Sequence, residues 1–184
     1  VLYKEKGKGT FVAKSRTNVD VREYSGFTDS ILDSQEPGNK NILSINIVDG
    51  RDIPNHCGLF GSAFNQNQEF YAITYITMKE NDVLSLNVSY LPASFFPNIE
   101  EDIKNKKPSY DILRGKYPLI PVKSKSVLEV IYTDQEDARY LKVQPGQPLI
   151  RIDNILYSKS GQAVEYIVSK YRADKCRLVF ENAK

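Results

Sequence analysis

Two long stretches of alternating residues constrain this chain more than anything else in it. Between Phe70 and Leu91, Tyr71, Ile73, Tyr75 and Thr77 interleave with Ala72, Thr74, Ile76 and Met78, and the run turns back at Glu80-Asn81-Asp82. On the return, Leu84, Leu86, Val88 and Tyr90 alternate with Ser85, Asn87 and Ser89. A period of two belongs to a strand with unlike faces, so the stretch predicts one long hairpin whose return strand is apolar on one side and polar on the other. Folding it about Asn81 brings Tyr75 near Asn87. A second hairpin is predicted from Leu149 to Tyr157 and from Ala163 to Phe180, turning at Ser158-Lys159-Ser160-Gly161, with Glu165, Ile167, Ser169 and Tyr171 on one face.

Shorter signals fill the intervals. Ile42 to Val48 and Val122 to Tyr132 read as strands, and Ile53 to Asn67, with Pro54 and its amides, as a loop or one broken helical turn. Phe27-Thr28-Asp29-Ser30-Ile31-Leu32 reads as one short turn of helix with Thr28 as its cap, ended by Glu36-Pro37-Gly38. Phe95 to Asn105 and Ser109 to Arg114 are helical candidates. Thr133-Asp134-Gln135-Glu136 reads as a capping box opening a helix through Ala138 and Leu141, closed by Pro145-Gly146-Gln147-Pro148. Hairpins outnumber strand-helix-strand crossovers, which implies an α+β fold: an antiparallel sheet with helices packed on one side.

The amino-terminal residues stand apart. Leu2 and Tyr3, a Gly-bearing turn over Lys4 to Gly9, and Thr10, Phe11 and Val12 predict a small hairpin with Lys4, Lys6 and Lys8 at its tip. An isolated two-stranded hairpin is marginal in water, so this one is expected to pack on something before Val1. Lys14 to Arg22 is polar, lacks either period and reads as a linker, with the body beginning near Val19.

Composition narrows the function. At 184 residues, 41% hydrophobic and 26% charged, the chain can bury a core, and its formal charge of +2 is too small for the body to be a nucleic-acid reader. No apolar run approaches a membrane span and no leader precedes a cleavage site, so the expected address is the cytoplasm, without membrane contact. Cys57 and Cys176 show no metal-binding spacing, and the lone His56 has no partner at metal or catalytic spacing. No metal, no cofactor and no catalytic residue is expected.

The string Gly7-Lys8-Gly9-Thr10-Phe11-Val12 resembles the wing of the winged helix-turn-helix head of GntR-type transcriptional regulators. The body resembles the effector-binding UTRA domain of the HutC subfamily of those regulators, whose fold is related to chorismate lyase. The residues that carry this are Ser25-Gly-Phe-Thr-Asp29, Ser89-Tyr-Leu-Pro92 with Phe96-Pro97, Ser109-Tyr110, Ala138 to Gly146, and Gly161-Gln-Ala-Val-Glu-Tyr166 leading into Tyr171-Arg172-Ala173-Asp174. The resemblance implies residues 1–18 as a wing remnant with linker and 19–184 as the sensing domain. It implies a homodimeric repressor whose missing head binds operator DNA, with Lys6 and Lys8 at the wing tip, and whose body binds a small-molecule effector.

It also implies where that effector sits: Phe27, Thr28, Tyr75, Thr77, Asn87, Tyr110, Glu165 and Tyr171. In sugar-phosphate sensors of the family an Arg-x-Arg pair clamps the phosphate, and here those positions are Tyr75 and Thr77; a contacting glutamate is replaced by Asn87. Losing two guanidinium groups removes the strongest anion-binding chemistry, so a sugar, sugar derivative or other neutral or amine-bearing metabolite is expected before a phosphorylated one. Plainer readings stand beside these: Tyr75 and Thr77 are favoured strand formers, Glu165 a solvated strand residue, Tyr171 a core residue, and Arg172 with Asp174 a local structural pair. Two other functions remain open, a chorismate lyase-like enzyme and a ligand-free dimerisation scaffold.

Overall fold

The computed structural model describes residues 2–5, 9–12, 16–20, 40–55, 57–104 and 121–180. Phe27, Thr28, His56, Ser109 to Arg114 with Tyr110, and Lys6 and Lys8 lie outside them.

The small amino-terminal hairpin is present: β1 (Leu2–Glu5) pairs antiparallel with β2 (Gly9–Val12), from Leu2 opposite Val12 to Glu5 opposite Gly9. The main sheet has six antiparallel strands, β4 (Lys40–Asp49), β5 (Glu69–Lys79), β6 (Asp82–Pro92), β7 (Pro121–Tyr132), β8 (Pro148–Ser158) and β9 (Ala163–Arg172), in the order β4-β5-β6-β9-β8-β7. Each long hairpin thus contributes adjacent strands, and the two meet where β6 pairs with β9. The first hairpin turns through Glu80 (φ 49°) and Asn81 (φ 70°), two successive left-handed residues, and Asp82 already belongs to β6 opposite Lys79.

The second hairpin departs from the expected single return strand over Ala163 to Phe180. It breaks after Arg172, whose guanidinium closes on Asp174 two residues on (Nε to Oδ1 3.1 Å, Nη2 to Oδ2 2.6 Å) and fixes a turn. The expected local pair of Arg172 and Asp174 is therefore what ends β9. The chain then leaves the sheet as β10 (Cys176–Val179), which pairs in parallel with β3 (Thr17–Asp20), Thr17 donating its N–H to Lys175 O at 2.7 Å. Part of the expected linker Lys14 to Arg22 is thus a strand, and it straddles the division between residues 18 and 19. Four residues with one apolar side chain, Val19, are too few to display a period.

Described helices are few and lie on both faces of the sheet. The expected helix Phe95–Asn105 resolves into a 3-10 turn (Ala93–Phe95) and α1 (Ile99–Lys104), separated where Pro97 keeps Phe96 out of the helical region (φ −128°, ψ 57°) and Asn98 is left-handed (φ 64°). Ile99 packs with Ile73, Tyr75 and Leu91. On the other face Leu141 of α2 (Gln135–Leu141) packs with Val83, Leu86 and Leu149. The cap of α2 is Asp134, accepting from Asp137 N at 2.7 Å, rather than Thr133, whose hydroxyl is drawn away to Gln147 O at 2.6 Å.

Because side chains alternate, the sheet has an aromatic face and a hydroxyl face. On the aromatic face Phe70 and Tyr166 gather Phe60 and Phe64 from the Ile53–Asn67 loop, with ring centroids 5.2 to 5.5 Å apart. The loop is fastened at one buried carboxylate. Asp153 accepts two bonds from Arg151 (2.6 and 2.8 Å), one from the Tyr166 hydroxyl (2.8 Å) and one from the Cys57 thiol (3.3 Å), while Tyr166 also reaches Pro54 O. Burial and the neighbouring Asp153 charge push the Tyr166 hydroxyl far above its usual range, so it stays a donor. Gly50 is required where the loop departs: a Cβ there would lie 2.7 Å from Gln66 O.

Two outcomes follow. Arg151→Met leaves Asp153 as an uncompensated buried charge and is expected to destabilise the domain by about 3–5 kcal/mol, measured by urea unfolding, whereas a change under about 1 kcal/mol would show the pair to be dispensable. Burial pushes the Cys176 thiol up from 9.0 to about 11, and Cys57 moves the same way, chiefly through desolvation. At pH 8 the thiolate of Cys176 is about a hundredfold scarcer than for an ordinary thiol, so a disulfide dye should label it only after unfolding. Rapid labelling of Cys176 in the folded protein would contradict this burial.

Candidate functional site

The hydroxyl face is built by register. Across the sheet run the rows Thr77–Ser85–Tyr171–Ile150, Tyr75–Asn87–Ser169–Ile152 and Ile73–Ser89–Ile167–Asn154–Ser126, with Glu165 opposite Leu156 one step further along β9. Tyr75, Thr77, Asn87, Glu165 and Tyr171, expected from sequence to share a site, therefore lie on one face. Tyr75 is directly opposite Asn87, as the hairpin pattern predicts. Phe27, Thr28 and Tyr110 lie outside the described residues.

Polar groups on this face are buried and organised by one another. Asn87, 2% exposed, donates through Nδ2 to Ser85 Oγ (3.0 Å), Thr77 Oγ1 (3.3 Å) and Tyr75 O (3.4 Å). Ser89 donates its hydroxyl to Glu165 Oε1, and both residues are fully buried. Ser126 donates to Asn154 Oδ1 at 3.0 Å. Glu165 is thus a buried acceptor, not the solvated strand residue of its plainer reading. Such a density of buried hydroxyl, amide and carboxylate groups is costly unless each is hydrogen-bonded, and no described buried side-chain nitrogen or oxygen lacks a partner.

Sequence reasoning missed three parts of this face. Asn154 and Ser126 sit in strands that read as plain apolar or mixed runs, so only pairing reveals them. Lys40, opposite Thr77, holds its Nζ 5.5 Å from the Tyr75 ring centroid, which places a cation at the edge of the face. Nothing in the local sequence of Lys40 signals that position. No Arg or Lys occurs in the three rows themselves.

A concavity lies on the aromatic face, a cleft of about 480 Å³. Its floor is the cross-strand row Ser44–Thr74–Val88–Val168, and its wall is Glu136 and Tyr140 of α2, beside an ion pair in which Lys170 Nζ meets both Asp137 oxygens at 2.6 and 2.8 Å. None of the residues expected to bind an effector lines it. Among the described residues no group of three or more His, Cys, Asp or Glu side chains could hold a metal ion, and no helix is long and apolar enough to cross a membrane.

Against known proteins, the UTRA domain model matches residues 62–177. The "Probable fructoselysine utilization operon transcriptional repressor" of Escherichia coli (strain K12) is 22% identical over 184 residues, covering 100% of this chain and 74% of that protein. The HTH-type transcriptional repressor NagR of Bacillus subtilis (strain 168) is 23% identical over 97% of this chain and 72% of its own length. Among solved structures, PhnF from Mycobacterium smegmatis superposes with a TM-score of 0.75 at 16% identity, covering 100% of this chain and 79% of that one. At that identity the superposition speaks for the fold, an antiparallel sheet with few helices. The family match extends over more than half of the sequence, and on it the chain belongs to the UTRA domain family of GntR-type transcriptional regulators.

Proposed function

We propose that this chain is the effector-sensing and dimerisation part of a cytoplasmic repressor, with residues 19–184 as the sensing body and the hairpin within residues 1–18 as the remnant of a winged DNA-reading head. One observation carries the reading: five residues expected at effector-contact positions share a single buried polar face, and three of them, Tyr75, Thr77 and Asn87, are joined through the Asn87 amide. The role is binding rather than catalysis; no bond is broken, and the effector acts through its differential affinity for two arrangements of the protein.

The chemistry of the face selects a hydroxyl-rich ligand. Ser, Thr, Asn and Tyr groups match sugar hydroxyls, and Glu165 suits a polyol or an amine. Lys40 supplies a single ammonium at the edge, stacked over Tyr75, in place of a bidentate guanidinium pair; that favours an unphosphorylated sugar or sugar derivative over a dianion. Glu165 and Tyr171 lie six residues apart on one strand, about 20 Å, so a ligand touching both is elongated.

A route to the amino terminus starts at the same face. Tyr171 packs in one cluster with Leu84, Ile152 and Cys176, against which Val19 and Leu178 lie. A change at Tyr171 therefore acts on β10 and, through the parallel pair, on β3 and the segment leading to operator-reading heads, whose spacing decides half-site geometry.

A thermal-unfolding screen tests the reading with free hexoses, hexosamines, sugar–amine conjugates and hexose phosphates, each at millimolar concentration. An unphosphorylated ligand at a hundred times its dissociation constant should stabilise the chain by about 2.7 kcal/mol, a rise of several degrees, and Asn87→Leu should abolish the shift. Stabilisation by hexose phosphates alone would overturn the ligand class. A selective shift that survives Asn87→Leu would move the site off this face.

A further inference from the structure

Two anchors cover the aromatic face of the sheet and leave a gap between them. At one end the rings of Phe60 and Phe64 close over Ala72, Tyr90 and Tyr166. At the other, Leu141 seats α2 on Val83, Leu86 and Leu149. The row between, Ser44–Thr74–Val88–Val168, is the floor of the cleft of about 480 Å³, and Thr74 and Val88 stay half-buried although β5 and β6 are inner strands. An apolar side chain on an inner strand is ordinarily covered, so an open trench there gives up burial. An apolar floor of this size with a few polar groups at its rim has the dimensions of a small-molecule site.

The edge strand is shaped toward this trench. Leu43 and Ser44 are consecutive and on a regular strand would point to opposite faces, yet both line the cleft. The bulge between Ile42 and Ser44 makes this possible, because Leu43 is the extra residue that β5 leaves unopposed. On the helix wall, Glu136 and Tyr140 are one turn apart and share a face of α2. The nearby cations are already committed, Lys170 to both oxygens of Asp137 and, one strand over, Arg151 to both oxygens of Asp153. Among the described residues Glu136 has no ion-pair partner, so the lining keeps one uncompensated negative charge, beside a tyrosine that is 42% exposed. A carboxylate and an aromatic ring at that spacing suit an ammonium group.

We infer that this cleft is a small-molecule site of its own, on the opposite side of the sheet from the hydroxyl face, and that it takes an amphipathic organic amine. The ammonium sits between Glu136 and Tyr140, the apolar body lies on Leu86, Val88 and Val168 beside Leu43, and a hydroxyl at the far end reaches Ser44 and Thr74. Val168 to Ser44 spans three strand spacings, about 14 Å, so the ligand is elongated across the strands. A carboxylate or phosphate in the same place would face Glu136 while both nearby cations are held by their own carboxylates. The inference goes beyond the proposed function and does not rest on it.

Methyl-resolved NMR titration of the 184-residue chain tests this with tyramine as the probe, beside two analogues in which a hydroxyl or a carboxylate replaces its ammonium. Tyramine should shift the methyl signals of Leu43, Leu86, Val88 and Val168 and leave those of Ile152 and Ile167 on the hydroxyl face in place. The alcohol should bind about tenfold more weakly, and the carboxylate should not bind. Glu136→Gln should weaken tyramine about tenfold and Tyr140→Ala about threefold, with melting temperatures unchanged because both side chains are exposed. Asn87→Leu, on the other face, should leave tyramine binding as it is. Shifts confined to Ile152 and Ile167 would put the amine on the hydroxyl face and overturn this site. Equal binding of the carboxylate, or indifference to Glu136→Gln, would overturn the ligand class. A chain that answers sugars but shows no methyl shift with about 10 mM tyramine overturns this inference and leaves the proposed function standing.

Discussion

The pairing of β6 with β9 is the contact on which the remaining structure depends. Each hairpin can form from neighbouring residues, but Ser85 opposite Tyr171, Asn87 opposite Ser169 and Ser89 opposite Ile167 join strands about eighty residues apart. A slip of one residue would turn every side chain of one hairpin to the other face. Tyr166 would leave the aromatic face and Glu165 would lose Ser89. Both faces therefore fix the same register, one through ring packing and the other through hydrogen bonds.

The faces do so with different energetics. Phe60, Phe64, Phe70, Tyr90 and Tyr166 gain from removing apolar area from water, and the Asp153 cluster beneath the loop is tolerated because Arg151, Tyr166 and Cys57 all donate to it. The hydroxyl face gains little from burial. Its serines, Asn87 and Glu165 are held in a network in which each lost partner would leave a desolvated group. A fold optimised for stability alone would fill those positions with Val or Ile, so under the proposed function the polar face is where stability is exchanged for recognition.

How far this was readable from sequence varies with the range of the interaction. The β5/β6 hairpin and the shared face of Glu165, Ser169 and Tyr171 were legible because alternation is local and strand geometry turns parity into direction. The capping oxygen was misassigned by one residue, since Thr133 and Asp134 both cap well and only the distant Gln147 carbonyl decides which is free. The β3–β10 pair was missed because each member is four residues long and its partner lies at the other end of the chain.

The sequence by itself determined that two two-faced hairpins exist and which residues share a side of each, because those properties follow from the period of the strand. It also carried the family resemblance, because short strings in order survive without coordinates. Only the tertiary structure decided that the hairpins meet edge to edge, that Lys40 comes to stand over Tyr75, that Asn154 and Ser126 join the hydroxyl face, and that the amino-terminal strand docks beside Tyr171 through β10. Those contacts join residues far apart along the chain, and the free energy that selects them comes from packing and desolvation across the whole sheet, which no local pattern records.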